Sequence, residues 1–79
     1  MGTSEYRSGL VGMRMIRKLR GINQQKAAID LNISREALSH YETGKRSPDI
    51  DMLLRLSDYF DVSVDFLITG KEFEARRKK

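Results

Sequence analysis

The run Asn23-Gln24-Gln25-Lys26-Ala27-Ala28-Ile29-Asp30-Leu31-Asn32-Ile33-Ser34-Arg35-Glu36-Ala37-Leu38-Ser39-His40-Tyr41-Glu42 decides the fold. Asn23 stands where an N-cap accepts a hydrogen bond from the free amides of a following helix, predicted over Gln24 to Leu31. Ala27, Ala28 and Leu31 form the apolar face of that helix, and two alanines there let a neighbouring helix approach closely. The connection Asn32-Ile33-Ser34 makes a sharp corner: Asn tolerates a left-handed backbone, Ile plugs the corner, and Ser caps a third helix over Arg35 to Glu42. Only Leu38, Tyr41 and Ala37 of that helix are candidates for burial, so most of its surface is polar.

Working outward, Leu10 to Arg20 reads as a first helix, with Met13, Ile16 and Leu19 at three-residue spacing and Arg14, Arg17, Lys18 and Arg20 on the polar side. Gly12 weakens its start, Gly21 ends it, and Ile22 follows as a buried hinge. After the third helix, Thr43-Gly44-Lys45-Arg46-Ser47-Pro48 is a basic loop, because Gly terminates a helix and Pro disfavours helical backbone just before it. A fourth helix presents Ile50, Leu53, Leu54, Ser57 and Phe60 as its apolar stripe, capped by Asp49 or Asp51. Asp61 and Val62 turn the chain, and Ser63 caps a short fifth helix through Val64, Phe66 and Leu67 that Gly70 closes. No segment reads as a strand. The fold class is all-α, a compact five-helix domain over residues 10–70, with Met13, Ile16, Leu38, Leu53 and Phe60 in its core. Residues 1–9 are a flexible arm or cloning remnant, and residues 71–79 a basic tail.

Seventy-nine residues with no cysteine and one proline leave room for one small domain that must rely on helix packing, oligomerisation or both. Absence of cysteine removes thiol catalysis and thiolate zinc sites, and a single histidine removes imidazole clusters. No stretch approaches the ~18 apolar residues of a membrane span, and the N-terminus lacks the apolar core of a secretion signal, so a cytoplasmic location is expected. The net charge of +4 is unevenly placed. Residues 1–47 carry nine basic and four acidic side chains, residues 48–70 one and five, and residues 71–79 five and two. A basic front and an acidic middle imply one surface built for a polyanion, with nucleic acid ahead of an anionic membrane.

Two short helices, a tight turn, a third helix opening Ser-Arg-Glu and a basic loop have the layout of a DNA-reading helix-turn-helix. A helix that enters the major groove needs side chains on one face that meet base edges, here Arg35, Glu36, Ser39 and His40. Amides at helix N-termini and basic loop residues hold phosphates and set register. The joint run Asn23-Gln24, Ile33-Ser34-Arg35, Leu38-Ser39-His40-Tyr41-Glu42, Gly44-Lys45-Arg46-Ser47-Pro48, Leu53-Leu54 and Val62-Ser63-Val64-Asp65-Phe66-Leu67 resembles the XRE family of Cro-type and lambdoid phage repressor DNA-binding domains over about residues 10–70. The resemblance implies a transcriptional regulator, most simply a repressor, acting as a homodimer on a palindromic double-stranded operator; no cofactor, metal or small-molecule ligand is expected. It places Ser34, Arg35, Glu36, Ser39 and His40 at base edges and Arg17, Asn23, Gln24, Thr43, Lys45 and Arg46 on the phosphate backbone. Arg17 and Glu42 occupy the positions of the family's ion pair, and Val64, Phe66 and Ile68 are candidates for the dimer contact. Two departures stand out: Asn32 replaces the turn glycine, and Ala27 replaces a larger apolar residue. Glu36 makes sense facing DNA as an acceptor for a cytosine amino group or as a partner that aims Arg35.

Rival classes are weaker. Ser34, Ser39 and Ser47 with His40 supply no nucleophile, base and orienting acid, so an enzyme is not expected. Asp49, Asp51, Asp58, Asp61 and Asp65 lack calcium-loop spacing and sit mostly at caps and turns. An antitoxin, a restriction-modification controller, or a protein-binding module of the same fold are the alternatives, because a fold does not set a function.

Overall fold

The computed structural model describes residues 9–71, and every regular element among them is a helix. The order is α1 (Val11–Leu19), α2 (Gln24–Leu31), α3 (Arg35–Thr43), α4 (Ile50–Phe60) and α5 (Val64–Thr69). The expected arm and tail lie outside the described residues, apart from Gly9 and Lys71.

Local chemistry explains the boundaries. Asn23, Ser34, Asp49 and Ser63 each accept, through the side chain, the amide three residues on, which satisfies a donor the helix leaves unpaired. Asp49, not Asp51, therefore caps α4. Asn32 (φ 61°) and Asp61 (φ 55°) end α2 and α4 in the left-handed region, and Gly44 and Gly70 end α3 and α5 there. Asn32 thus takes the conformation for which the corner needs a glycine-tolerant residue.

Leu10, Met13, Ala27, Ala28, Leu31, Leu38, Tyr41, Leu56, Phe60 and Leu67 form one core, with Ile16, Ile22, Ile33 and Leu53 packed against it. Three expectations need correction, and the reading of Gly12 is extended. Leu19 is 81% exposed. At about 100° per residue, steps of three drift by about 60° each, so Leu19 sits about 120° round from Met13, while Arg17 shares Met13's side. The inward face of α4 is turned from the expected stripe: Leu56 is fully buried, Ile50 and Leu54 are 74% and 58% exposed, and Met52 and Tyr59 are half-buried. Both stripes share Leu53 and Phe60, and contacts distant in sequence choose between them. Tyr59 Oη donates to Asp30 Oδ2 at 2.6 Å, and Arg55 Nη2 donates to the Leu31 carbonyl, anchoring α4 on α2. Gly12 is a packing requirement as well as a weak helix start. A Cβ there would fall 2.6 Å from the Phe66 carbonyl carbon, so α1 crosses α5 backbone to backbone. Finally, α3 extends one residue beyond Glu42, through Thr43.

Candidate nucleic-acid interface

The N-termini of α2 and α3 converge on a shallow cleft lined by Asn23, Gln24, Gln25 and Arg35. Two helix N-termini opening side by side present unpaired amides and the positive ends of both helix dipoles to one place. Their caps are occupied internally: Asn23 Oδ1 accepts Lys26 N–H at 2.8 Å and Ser34 Oγ accepts Ala37 N–H at 2.9 Å. The Asn23 amide group and the Ser34 hydroxyl proton remain for an outside acceptor. Arg35 and Glu36 are exposed in the first turn of α3, and Ser39 and His40, one turn on, are half-buried. His40 Nδ1 is buried and has no hydrogen-bond partner among the described residues.

Behind this face lies a connected set of polar side chains, of which the sequence points only to the Arg17–Glu42 pair. Glu42 is 4% exposed and Arg17 7%. Arg17 Nε donates to Glu42 Oε2 at 2.6 Å, Nη2 to Oε1 at 3.1 Å, and Nη1 to the Ile22 carbonyl at 2.9 Å. Two parallel donors on one carboxylate and a third on a carbonyl give the geometry a buried pair needs to offset its desolvation. Gln24 Nε2 also donates to Glu42 Oε1, at 3.0 Å, and its Oε1 accepts Arg35 Nε at 3.3 Å. Glu42 can only accept, so it turns the Gln24 amide to present its oxygen to Arg35. The chain Arg17, Glu42, Gln24, Arg35 thus runs from the core to the first residue of the exposed helix. Neither the distance in sequence between Gln24 and Arg35 nor any helical period signals this contact; the corner that folds α2 against α3 creates it.

The loop after α3 supplies the cations. Gly44 N–H and Arg46 N–H both donate to the His40 carbonyl, at 3.0 and 3.3 Å, which folds residues 43–46 back on the helix end. Thr43, Lys45 and Arg46 are exposed, and the Arg46 guanidinium lies 5.9 Å from the Tyr41 ring centroid. A cation resting on an aromatic face keeps its charge outward while losing some of its freedom.

Residues 13–67 match the helix-turn-helix family. The chain belongs to this family, in its XRE type. The helix-turn-helix domain is 39% identical over 62 residues to an uncharacterised HTH-type transcriptional regulator, YqaE, of Bacillus subtilis, covering 78% of this chain and 53% of that protein. It is 39% identical over 67 residues to the HTH-type transcriptional regulator ImmR of the same organism, covering 85% and 52%. Among solved structures, the DNA-binding domain of BldD superposes with a TM-score of 0.71 at 26% identity, covering 84% of this chain and 97% of that one. The chain spans about half the length of these curated relatives. Residues 13–67 are therefore an all-α helix-turn-helix domain of the kind found in HTH-type transcriptional regulators. Among the described residues no cluster of His, Cys, Asp or Glu could hold a metal ion, and no helix is long and apolar enough to cross a membrane.

Of the candidates for the dimer contact, Val64 and Phe66 are half-buried and Ile68 is 45% exposed. Phe66 lines an open apolar groove with Met15, Ile16, Lys18 and Leu19 of α1.

Proposed function

We propose that this helix-turn-helix domain acts as a transcriptional repressor, binding a palindromic operator as a homodimer with α3 in the major groove. Arg35 carries the reading. Its Nε donates to Gln24 Oε1, which leaves the two terminal nitrogens, at the start of a Ser-capped helix, for a bidentate contact to guanine O6 and N7. Ser34, Glu36, Ser39 and His40 complete the base-facing set. Asn23, Gln24, Thr43, Lys45 and Arg46 form the phosphate set, with Gln24 using what hydrogen-bonding capacity its two internal contacts leave. Arg17 is left out of that set: buried, with all three of its nitrogens donating inside the protein, it supports Glu42 instead.

Dimerisation follows from reach. One short helix reads few bases, and a two-fold pair places two such helices about one DNA turn, ~34 Å, apart. The apolar flank of α5, with Val64, Phe66 and Ile68, is the surface proposed to make the contact. The acidic residues of α4 and its flanks, Asp49, Asp51, Asp58 and Asp61, keep that side off DNA. The protein would work in the cytoplasm, repressing by occupying a promoter. Selection of bound duplexes from a random pool, followed by sedimentation of the selected complex, tests the proposal. Two-fold symmetric sequences carrying two protomers are expected; recovery of single half-sites with a monomer bound would refute the dimer, and a sequence-independent pool would refute base reading. Loss of the gene should raise expression from a promoter containing the selected site.

A further inference from the structure

We propose that Gly9 is a positioning residue for DNA binding. Its missing side chain lets the main chain entering α1 lie directly on the end of α3, and this seat holds the loop of residues 43–46 in place. The inference rests on the reading of that loop as a phosphate contact.

Gly9 adopts φ +81°, which side chains rarely take, and a Cβ added there would fall 2.6 Å from both the Glu42 carbonyl carbon and the Gly44 nitrogen, and nearer still to the Glu42 oxygen. Real Cβ atoms keep at least 3.0 Å. All three atoms are backbone, so no side chain can swing aside to make room. The next residue completes the seat: Leu10 N–H donates to the Tyr41 carbonyl at 3.0 Å, satisfying an acceptor that the last turn of α3 leaves unpaired. On the inner side the His40 carbonyl gathers the amides of Gly44 and Arg46. The start of the basic loop is thus gripped between residues 9–10 outside and the last turn of α3 inside. Hydrogen bonds to phosphate tolerate only a few tenths of an ångström, so displacing Glu42 and Gly44 would move Thr43, Lys45 and Arg46 out of reach together.

Gly12 provides an internal control. A Cβ there also meets backbone, and more tightly than at Gly9: the Phe66 carbonyl oxygen nearest of all, the Phe66 carbonyl carbon at 2.6 Å and Gly70 Cα at 3.1 Å, but on α5 and its C-cap and not on α3. Both substitutions should destabilise the domain, and only one should disturb the DNA-facing loop.

The test uses the full 79-residue chain with Gly9→Ala and Gly12→Ala. Affinity for a duplex selected from a random pool is measured by fluorescence anisotropy across a salt series and corrected for the folded fraction seen by circular dichroism. Gly9→Ala is expected to bind at least tenfold more weakly than Gly12→Ala on the folded-fraction scale, with a salt slope lower by about two units, one each for Lys45 and Arg46. Parent-like affinity of folded Gly9→Ala, or equal losses in both variants, overturns the inference. Should Gly9→Ala not fold, amide exchange in the parent decides. The Leu10 and Gly44 amides should share one opening free energy and both slow with DNA bound, whereas Leu10 exchanging more than tenfold faster than Gly44 would mean the seat opens by itself and holds nothing. Lys45→Ala separates the two ideas: an unchanged slope there removes the phosphate reading of the loop, while the affinity comparison still decides the role of Gly9.

Discussion

Replacing Glu42 by alanine removes one carboxylate from the centre of the structure, and its consequences can be followed along two routes. Arg17 would keep one of its three hydrogen bonds, to the Ile22 carbonyl, and its guanidinium would be left buried with no counter-charge. Breaking a buried pair from one side costs about 3–5 kcal/mol, a large share of what a domain of this size holds in reserve. At about 4 °C or more per kcal/mol for such a domain, the melting temperature should fall by at least about 12 °C. Replacing both partners with apolar residues of similar length, Arg17→Met with Glu42→Leu, should recover most of that loss, because the desolvation cost of both charges disappears with them. The DNA-facing route behaves differently. Without Glu42 the Gln24 amide has nothing to set its orientation, and Arg35 loses its guide. The double variant should therefore melt close to the parent yet discriminate less at the base pair that Arg35 reads. Thermal unfolding by circular dichroism and binding to duplexes altered at single positions measure the two routes separately. A single variant losing under 1 kcal/mol, or a double variant as unstable as the single one, would refute the account of the pair. Restored stability with undiminished discrimination would refute the relay through Gln24.

Four further outcomes are expected. Arg35→Ala should cost about 1–3 kcal/mol and relax preference at one base pair; equal weakening on all sequences would contradict it. Lys45→Ala should weaken binding uniformly and lower the salt slope by about one unit, measured by anisotropy at several ionic strengths. Leu56→Ala should destabilise by about 2–5 kcal/mol, against under about 1 kcal/mol for Leu54→Ala, in denaturant titration, since only Leu56 is buried. Burial and the bond to Asp30 hold the Tyr59 hydroxyl proton on up to about pH 12, while the bonds from Tyr59 and Lys26 hold the Asp30 carboxyl below its ordinary range. The two contributions have opposite pH windows. The stability from Tyr59 is present below its ordinary value near 10 and lost as pH rises toward 12, because the unfolded chain releases its proton first; that from Asp30 is present above about 3.8 and lost as pH falls. In Tyr59→Phe, an NMR titration should find the Asp30 carboxyl moved up toward its ordinary value; an unmoved midpoint would show that the α2–α4 bond is not made in solution.

The sequence by itself determined the elements, since their signals are local: a cap oxygen acts three residues away, and a left-handed residue ends a helix where it stands. Asn23, Ser34, Ser63, Asn32, Gly44 and Gly70 are of this kind, and they make the corner between α2 and α3 legible without coordinates. The exposure of Arg35, Glu36, Lys45 and Arg46, the proposed DNA contacts, was legible for the same reason, as their placement follows from the start and end of one short helix. Tertiary structure decided what local spacing leaves degenerate. Two stripes of α4 fit an amphipathic helix, and contacts from Arg55 and Tyr59 to α2 select the one containing Leu56. Gln24, read as a phosphate contact, stands between Glu42 and Arg35 because the corner folds those three helical positions together. Gly9 and Gly12 read as flexible or weakly helical in isolation; only the backbone of α3 and α5 arriving from elsewhere in the chain leaves no room for a side chain there.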